Sequence, residues 1–75
     1  MTGREWVDAF AAALGVAPPD EREVETLLRL AGHAAHNSER WAAPLACWVV
    51  ARAGVDPVTA LEQARKIRGG DPAPS

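Results

Sequence analysis

Two histidines and one cysteine are the residues best suited to bind a metal ion. His33 and His36 are three positions apart, and on a helix that spacing places both side chains on one face. With Cys47 from a neighbouring element, they could supply three ligands to a transition metal. Structural zinc usually has four ligands with paired spacing, which is absent here. We therefore expect no metal and no cofactor, and keep a metal- or ligand-binding bundle built on these three residues as an alternative hypothesis.

A hydrolase site is suggested only by residue type, because His36, Ser38 and Glu39 lie within one short segment. Neighbours on one turn rarely point at each other as a nucleophile and its base must. The sequence also has no Gly-rich phosphate loop followed by a helix. We therefore assign no catalytic residue and expect that this chain is not an enzyme.

The segment from His36 to Leu45 has the most unusual mixture of side chains in the sequence, with an imidazole, an amide, both charge signs and an indole. Trp and Arg are over-represented among the residues that dominate protein–protein binding. We predict an interaction surface for a protein partner at His36, Glu39, Arg40 and Trp41. The alternative is a structural corner, in which Glu39 and Arg40 cap helix ends and Trp41 covers the core.

Composition restricts the classes of partner. The chain has 75 residues, of which 48% are hydrophobic and 24% charged, as is typical of one small globular domain. Its formal net charge of −2 lacks the basic excess that nucleic-acid and anionic-membrane binders use, so we expect neither partner. The most apolar stretch, Ala42 to Ala53, is too short to span a bilayer. A single cysteine suits a reducing cytoplasm, where we expect the protein to act.

Helix start and stop signals divide the chain into four helices. Thr2 and Asp20 each precede a glutamate by three residues, which is the capping-box spacing. Gly15 and Gly54 stand where left-handed helix ends prefer glycine, and the Asp56-Pro57 pair is typical of a helix start. The predicted helices cover roughly residues 3–14, 20–37, 43–53 and 56–68. They form a single domain, 1–68, followed by a flexible C-terminal tail, 69–75.

The apolar spacing predicts an all-α, compact bundle. Three of the four helices have an apolar stripe, and the stripe of the second is assigned to Val24, Leu27, Leu28, Ala31, Ala34 and Ala35. The third helix is apolar on almost every side, so we expect it to be the central one. Three tryptophans are many for so small a core. A homodimer that buries a tryptophan face, acting as a structural spacer, is therefore a further alternative.

The chain resembles a known family along most of its length, from about Arg4 to Lys66. The residues that carry the resemblance are Trp6-Val7, Phe10, Leu14-Gly15, Leu27-Leu28-Arg29-Leu30-Ala31, Ala34-Ala35-His36, Glu39-Arg40 and Ala42-Ala43-Pro44-Leu45. That family is a small domain of unknown function from high-GC bacteria, found alone or fused to molybdenum cofactor guanylyltransferase-like domains. The resemblance implies an accessory role in molybdenum cofactor biosynthesis. No transferase domain is present in the 75 residues, so any link to that enzyme is expected in trans.

Overall fold

The computed structural model describes residues 1–67, and the predicted tail at 69–75 lies outside them. The helices are α1 (Gly3–Leu14), α2 (Glu21–Asn37), α3 (Ala42–Ala53) and α4 (Pro57–Ala64). Residues 1–67 contain no β-strand, so the prediction of an all-α fold is confirmed. None of these helices is long and apolar enough to cross a membrane.

Local capping interactions define the helix starts as the sequence predicts. Thr2 Oγ1 accepts a hydrogen bond from the Glu5 amide at 3.0 Å, and the Glu5 carboxylate accepts one from the Thr2 amide at 2.8 Å. Asp20 and Glu23 form the same reciprocal pair, with both distances 2.8 Å. These bonds satisfy amide donors that have no partner within the helix.

Two glycines end α1 and α3 in the left-handed conformation. Gly15 has φ = 73° and Gly54 has φ = 70°, values that a side chain makes costly. In each case the glycine amide donates to carbonyls of the preceding turn. The ends of both helices are therefore where the sequence places them.

The fourth helix is shorter than predicted, because α4 ends at Ala64 rather than at residue 68. After Ala64 the amides of Lys66 and Ile67 donate to carbonyls three residues back, at 3.1 and 3.0 Å. These tighter bonds replace the four-residue spacing of an α-helix. The basic residues Arg65 and Lys66 therefore follow the last helical turn instead of belonging to it.

The core lies among α2, α3 and α4, with α2 in the middle. Leu30 of α2 is 3% exposed and is buried together with Ala60 and Leu61 of α4. Ala46 and Val50 of α3 pack partly against this cluster. α2 has the main interfaces with α3 and with α4, whereas α1 has no comparable interface with any helix of residues 1–67.

The prediction that the third helix is central is therefore wrong. Leu45, Trp48 and Val49 of α3 are all more than half exposed. A helix that is apolar all round buries every face only when it has neighbours on every side, and α3 packs extensively against α2 alone. One side of α3 is consequently left open.

The inward face assigned to the second helix is half-buried at five of its six residues but is wrong at Leu28 and lacks Leu30. Leu28 was assigned to the core but is 67% exposed, and Leu30, which was omitted, is the most deeply buried residue of the core. An α-helix turns by about 100° per residue, so a face centred on Leu27 includes Leu30 and has Leu28 at its margin.

Candidate interaction surface

The four predicted surface residues lie at the connection between α2 and α3. α2 ends at Asn37 and α3 begins at Ala42. The Ala42 amide donates to the Glu39 carbonyl at 2.9 Å, and the Ala43 amide donates to the Arg40 carbonyl at 3.2 Å. The backbone that carries the two charged side chains is therefore held in a hydrogen-bonded turn.

His36, Glu39, Arg40 and Trp41 are all exposed, and we refer to them as the junction surface. The Trp41 side chain is 63% exposed, and its indole Nε1–H donates to the Glu39 carboxylate. A hydrogen bond to an ionised acceptor is stronger than a neutral one and orients the indole. Trp41 does not cover the core, contrary to the structural-corner alternative.

His33 has a different environment, because it connects α2 to the end of α4. Its Nε2 lies 3.1 Å from the Ile67 carbonyl oxygen, and its Nδ1 lies 3.3 Å from Asn37 Nδ2. Since a carbonyl only accepts and an amide nitrogen only donates, the two contacts fit a ring that donates from Nε2 and accepts at Nδ1. Asn37 also donates to the His33 carbonyl at 2.9 Å.

The structure does not arrange the three candidate metal ligands as a metal-binding group. Among residues 1–67, no cluster of three or more His, Cys, Asp or Glu side chains could hold a metal ion. His33 already uses both ring nitrogens, His36 is exposed and Cys47 is half-buried in α3. Burial raises the pKa of the Cys47 thiol, which disfavours the thiolate that metal binding requires.

An apolar groove of about 420 Å³ lies between α3 and α4. Its described lining residues are Leu30, Ala46, Val49, Val50, Ala53, Val55, Thr59, Ala60, Gln63, Ala64 and Ile67. We call this feature the α3–α4 groove. Leu30 is its buried residue from α2, and only Thr59 and Gln63 among the described lining residues have polar side chains. Such a surface binds apolar side chains but offers few groups for a charged substrate.

These features define a small helical domain with an exposed polar junction and an open apolar groove. The chain belongs to the family described as Domain of unknown function (DUF6457), which matches residues 1–68. No curated protein and no solved structure matches the chain. Membership confirms the resemblance to a domain of unknown function, whereas bacterial origin and fusion partners stay predictions.

Sequence reasoning missed the α3–α4 groove and the partners of His33. The groove has a detectable signal, because Ala46, Ala53, Ala60 and Ala64 supply small side chains to its two walls. Small residues on facing helices leave space that larger ones would fill. The contact between His33 and Ile67 joins residues 34 positions apart, and no local pattern indicates it.

Proposed function

We propose that this chain is a non-catalytic accessory module that binds a protein partner through the junction surface. We further propose that it acts in the bacterial cytoplasm and that its partner is a molybdenum cofactor guanylyltransferase-like protein, bound in trans. The observation that carries the binding role is the presentation of Trp41, an indole that is 63% exposed and held by a charged neighbour on a hydrogen-bonded turn.

The chemistry of the junction surface supports a protein as the ligand. Tryptophan contributes a large apolar area at low entropic cost, and arginine donates several hydrogen bonds from a planar group. Arg40 and Trp41 are adjacent and both exposed, so a partner could contact them together. Residues of these two types provide most of the binding energy in many interfaces.

The choice of partner rests on the family resemblance. A domain that occurs fused to an enzyme in some proteins often contacts that enzyme when the two are separate chains. The same resemblance favours an accessory role over catalysis, since the most specific part of it, the His36 to Leu45 string, spans the end of α2 and the start of α3 and presents Glu39, Arg40 and Trp41 to solvent.

The test is the affinity of the full chain for the purified guanylyltransferase, measured by calorimetry. Trp41→Ala and Arg40→Ala should each weaken binding roughly 30-fold, because hot-spot truncations cost about 2 kcal/mol or more and 1.4 kcal/mol corresponds to a factor of ten. Trp48→Ala is the matched control, since Trp48 is 62% exposed but lies outside the junction surface.

If the folded Trp41→Ala and Arg40→Ala variants bind the guanylyltransferase as tightly as the wild type does, the junction surface is not the binding surface. Absence of any binding by the wild-type chain would remove the guanylyltransferase as the partner.

A further inference from the structure

Among residues 1–67, most of the apolar side of α1 is exposed, although the neighbouring Ala11 is buried. Trp6, Val7, Phe10 and Leu14 recur at helical spacing, and we call them the α1 apolar face. Trp6, Phe10 and Leu14 are 56%, 51% and 63% exposed. The Trp6 and Phe10 rings stack on each other with their centroids 5.0 Å apart, which makes one continuous aromatic surface.

Within residues 1–67, the α3–α4 groove is a second exposed apolar surface. Val49 and Ile67 are 57% and 67% exposed at its margins, while Leu30 is buried beneath them. No residue of α1 lines the groove. The Arg4 guanidinium donates to the Pro19 carbonyl, and this contact ties the first turn of α1 to the loop that precedes α2. In the part of the chain that the structure describes, α1 therefore does not occupy the groove of its own chain.

We propose that a second copy of this chain covers the groove. In this homodimer α1 of one protomer packs by its apolar face into the α3–α4 groove of the other, and the contact is repeated by the twofold symmetry. Reciprocal contacts of this kind form a closed dimer and leave neither surface free. Each half of the dimer then contains four packed helices: α2, α3 and α4 of one chain and α1 of its partner.

Both contacts of such a dimer have exposed apolar area to bury. Trp6 and Phe10 would bury on the order of 200 Å² at each contact, because a fully buried aromatic side chain removes about 150–250 Å² from water and both are just over half exposed. Leu14 of the α1 apolar face is 63% exposed, and Val49 and Ile67 of the opposing groove are 57% and 67% exposed, so each protomer adds aliphatic area to this aromatic area at both contacts. A stable interface buries about 800 Å² per partner, which the two contacts have to supply together.

The proposed dimer contact is independent of the junction surface. None of the four junction-surface residues lines the groove or belongs to α1. If the chain does not bind the guanylyltransferase, the proposed dimer still stands. If the chain is a monomer, the proposed junction surface still stands.

The test is sedimentation velocity of the full chain across a concentration series. The wild type should form a dimer. Phe10→Glu places a charge on the α1 apolar face, and Val49→Glu places one in the groove. Each substitution should weaken both symmetric contacts by about tenfold. The dimer dissociation constant should therefore rise about 100-fold. Leu28→Glu is the control, because Leu28 is 67% exposed and belongs to neither surface.

Mixing the two variants distinguishes this geometry from general adhesion of apolar surfaces. A heterodimer of Phe10→Glu and Val49→Glu retains one intact contact, between the unaltered α1 of one chain and the unaltered groove of the other. Both substitutions then fall in the other contact, which either one alone already disrupts, so their costs do not add and the equimolar mixture should associate more strongly than either variant alone. A wild type that stays monomeric, a dimer insensitive to both substitutions, or a mixture no stronger than its components would each overturn the proposal.

Discussion

At the scale of single residues, Asp56 illustrates how one side chain defines a helix start. Its carboxylate accepts hydrogen bonds from the amides of Val58 and Thr59, at 3.0 and 3.2 Å, and from the Thr59 hydroxyl at 2.7 Å. These bonds favour the ionised form, and the Thr59 hydroxyl contributes most to lowering the Asp56 pKa. The start of α4 therefore depends on the negative charge of the Asp56 carboxylate, which is lost when acid protonates it.

The lowered pKa predicts a pH-dependent contribution to stability. A carboxyl whose pKa is lower in the folded state stabilises the fold above its ordinary pKa, and the effect is lost as the pH falls through the folded value. Asp56→Asn keeps a capping oxygen but has no charge to lose. The wild type should melt at a higher temperature than Asp56→Asn at pH 7, and the difference should shrink as the pH falls below about 4. A melting-temperature difference that stays constant between pH 7 and pH 2 would contradict this role.

At the scale of helices, the central position of α2 explains the distribution of burial. α2 contributes Leu30 to the core, and α3 and α4 pack on either side of it. Small all-helical domains have little apolar area to bury, so a single leucine accounts for a large part of the net stability. The arrangement predicts a sharp contrast between neighbouring leucines of the same helix.

Leu30→Ala should lower the free energy of unfolding by about 2–5 kcal/mol, because it removes buried methylene groups and leaves a cavity. Leu28→Ala is the matched control, and a change of less than about 0.5 kcal/mol is expected at that exposed position. Urea denaturation followed by circular dichroism measures both. Equal losses in the two variants would show that the α2 face is assigned incorrectly.

The sequence predicts helix boundaries well but helix packing poorly. The capping pairs of Thr2 and Asp20 and the glycines at 15 and 54 depend on neighbours within a few residues, so local spacing predicts them. Helical spacing favours Leu30 over Leu28 only once the buried face is centred on Leu27, and the positions of α3 and α4 determine that centre. The junction surface was predicted from composition alone, and the exposure of Trp41 follows from a turn whose geometry only the structure gives.

At the scale of the whole molecule, residues 1–67 combine a packed three-helix unit with a helix, α1, that has no extensive interface with it. α1 shares no extensive interface with α2, α3 or α4, although its apolar face has the composition of a core element. Exposed apolar patches of this size usually mark interaction sites. The α1 apolar face and the α3–α4 groove are both exposed among residues 1–67, which makes a second copy of the chain the simplest partner.

The most direct measurement is an isotope-filtered nuclear Overhauser experiment on an equimolar mixture of labelled and unlabelled chains. The reciprocal dimer predicts contacts between the Phe10 ring protons of one molecule and the Val49 methyl protons of another. The same contacts found within one molecule, or no contact between these two side chains, would contradict it.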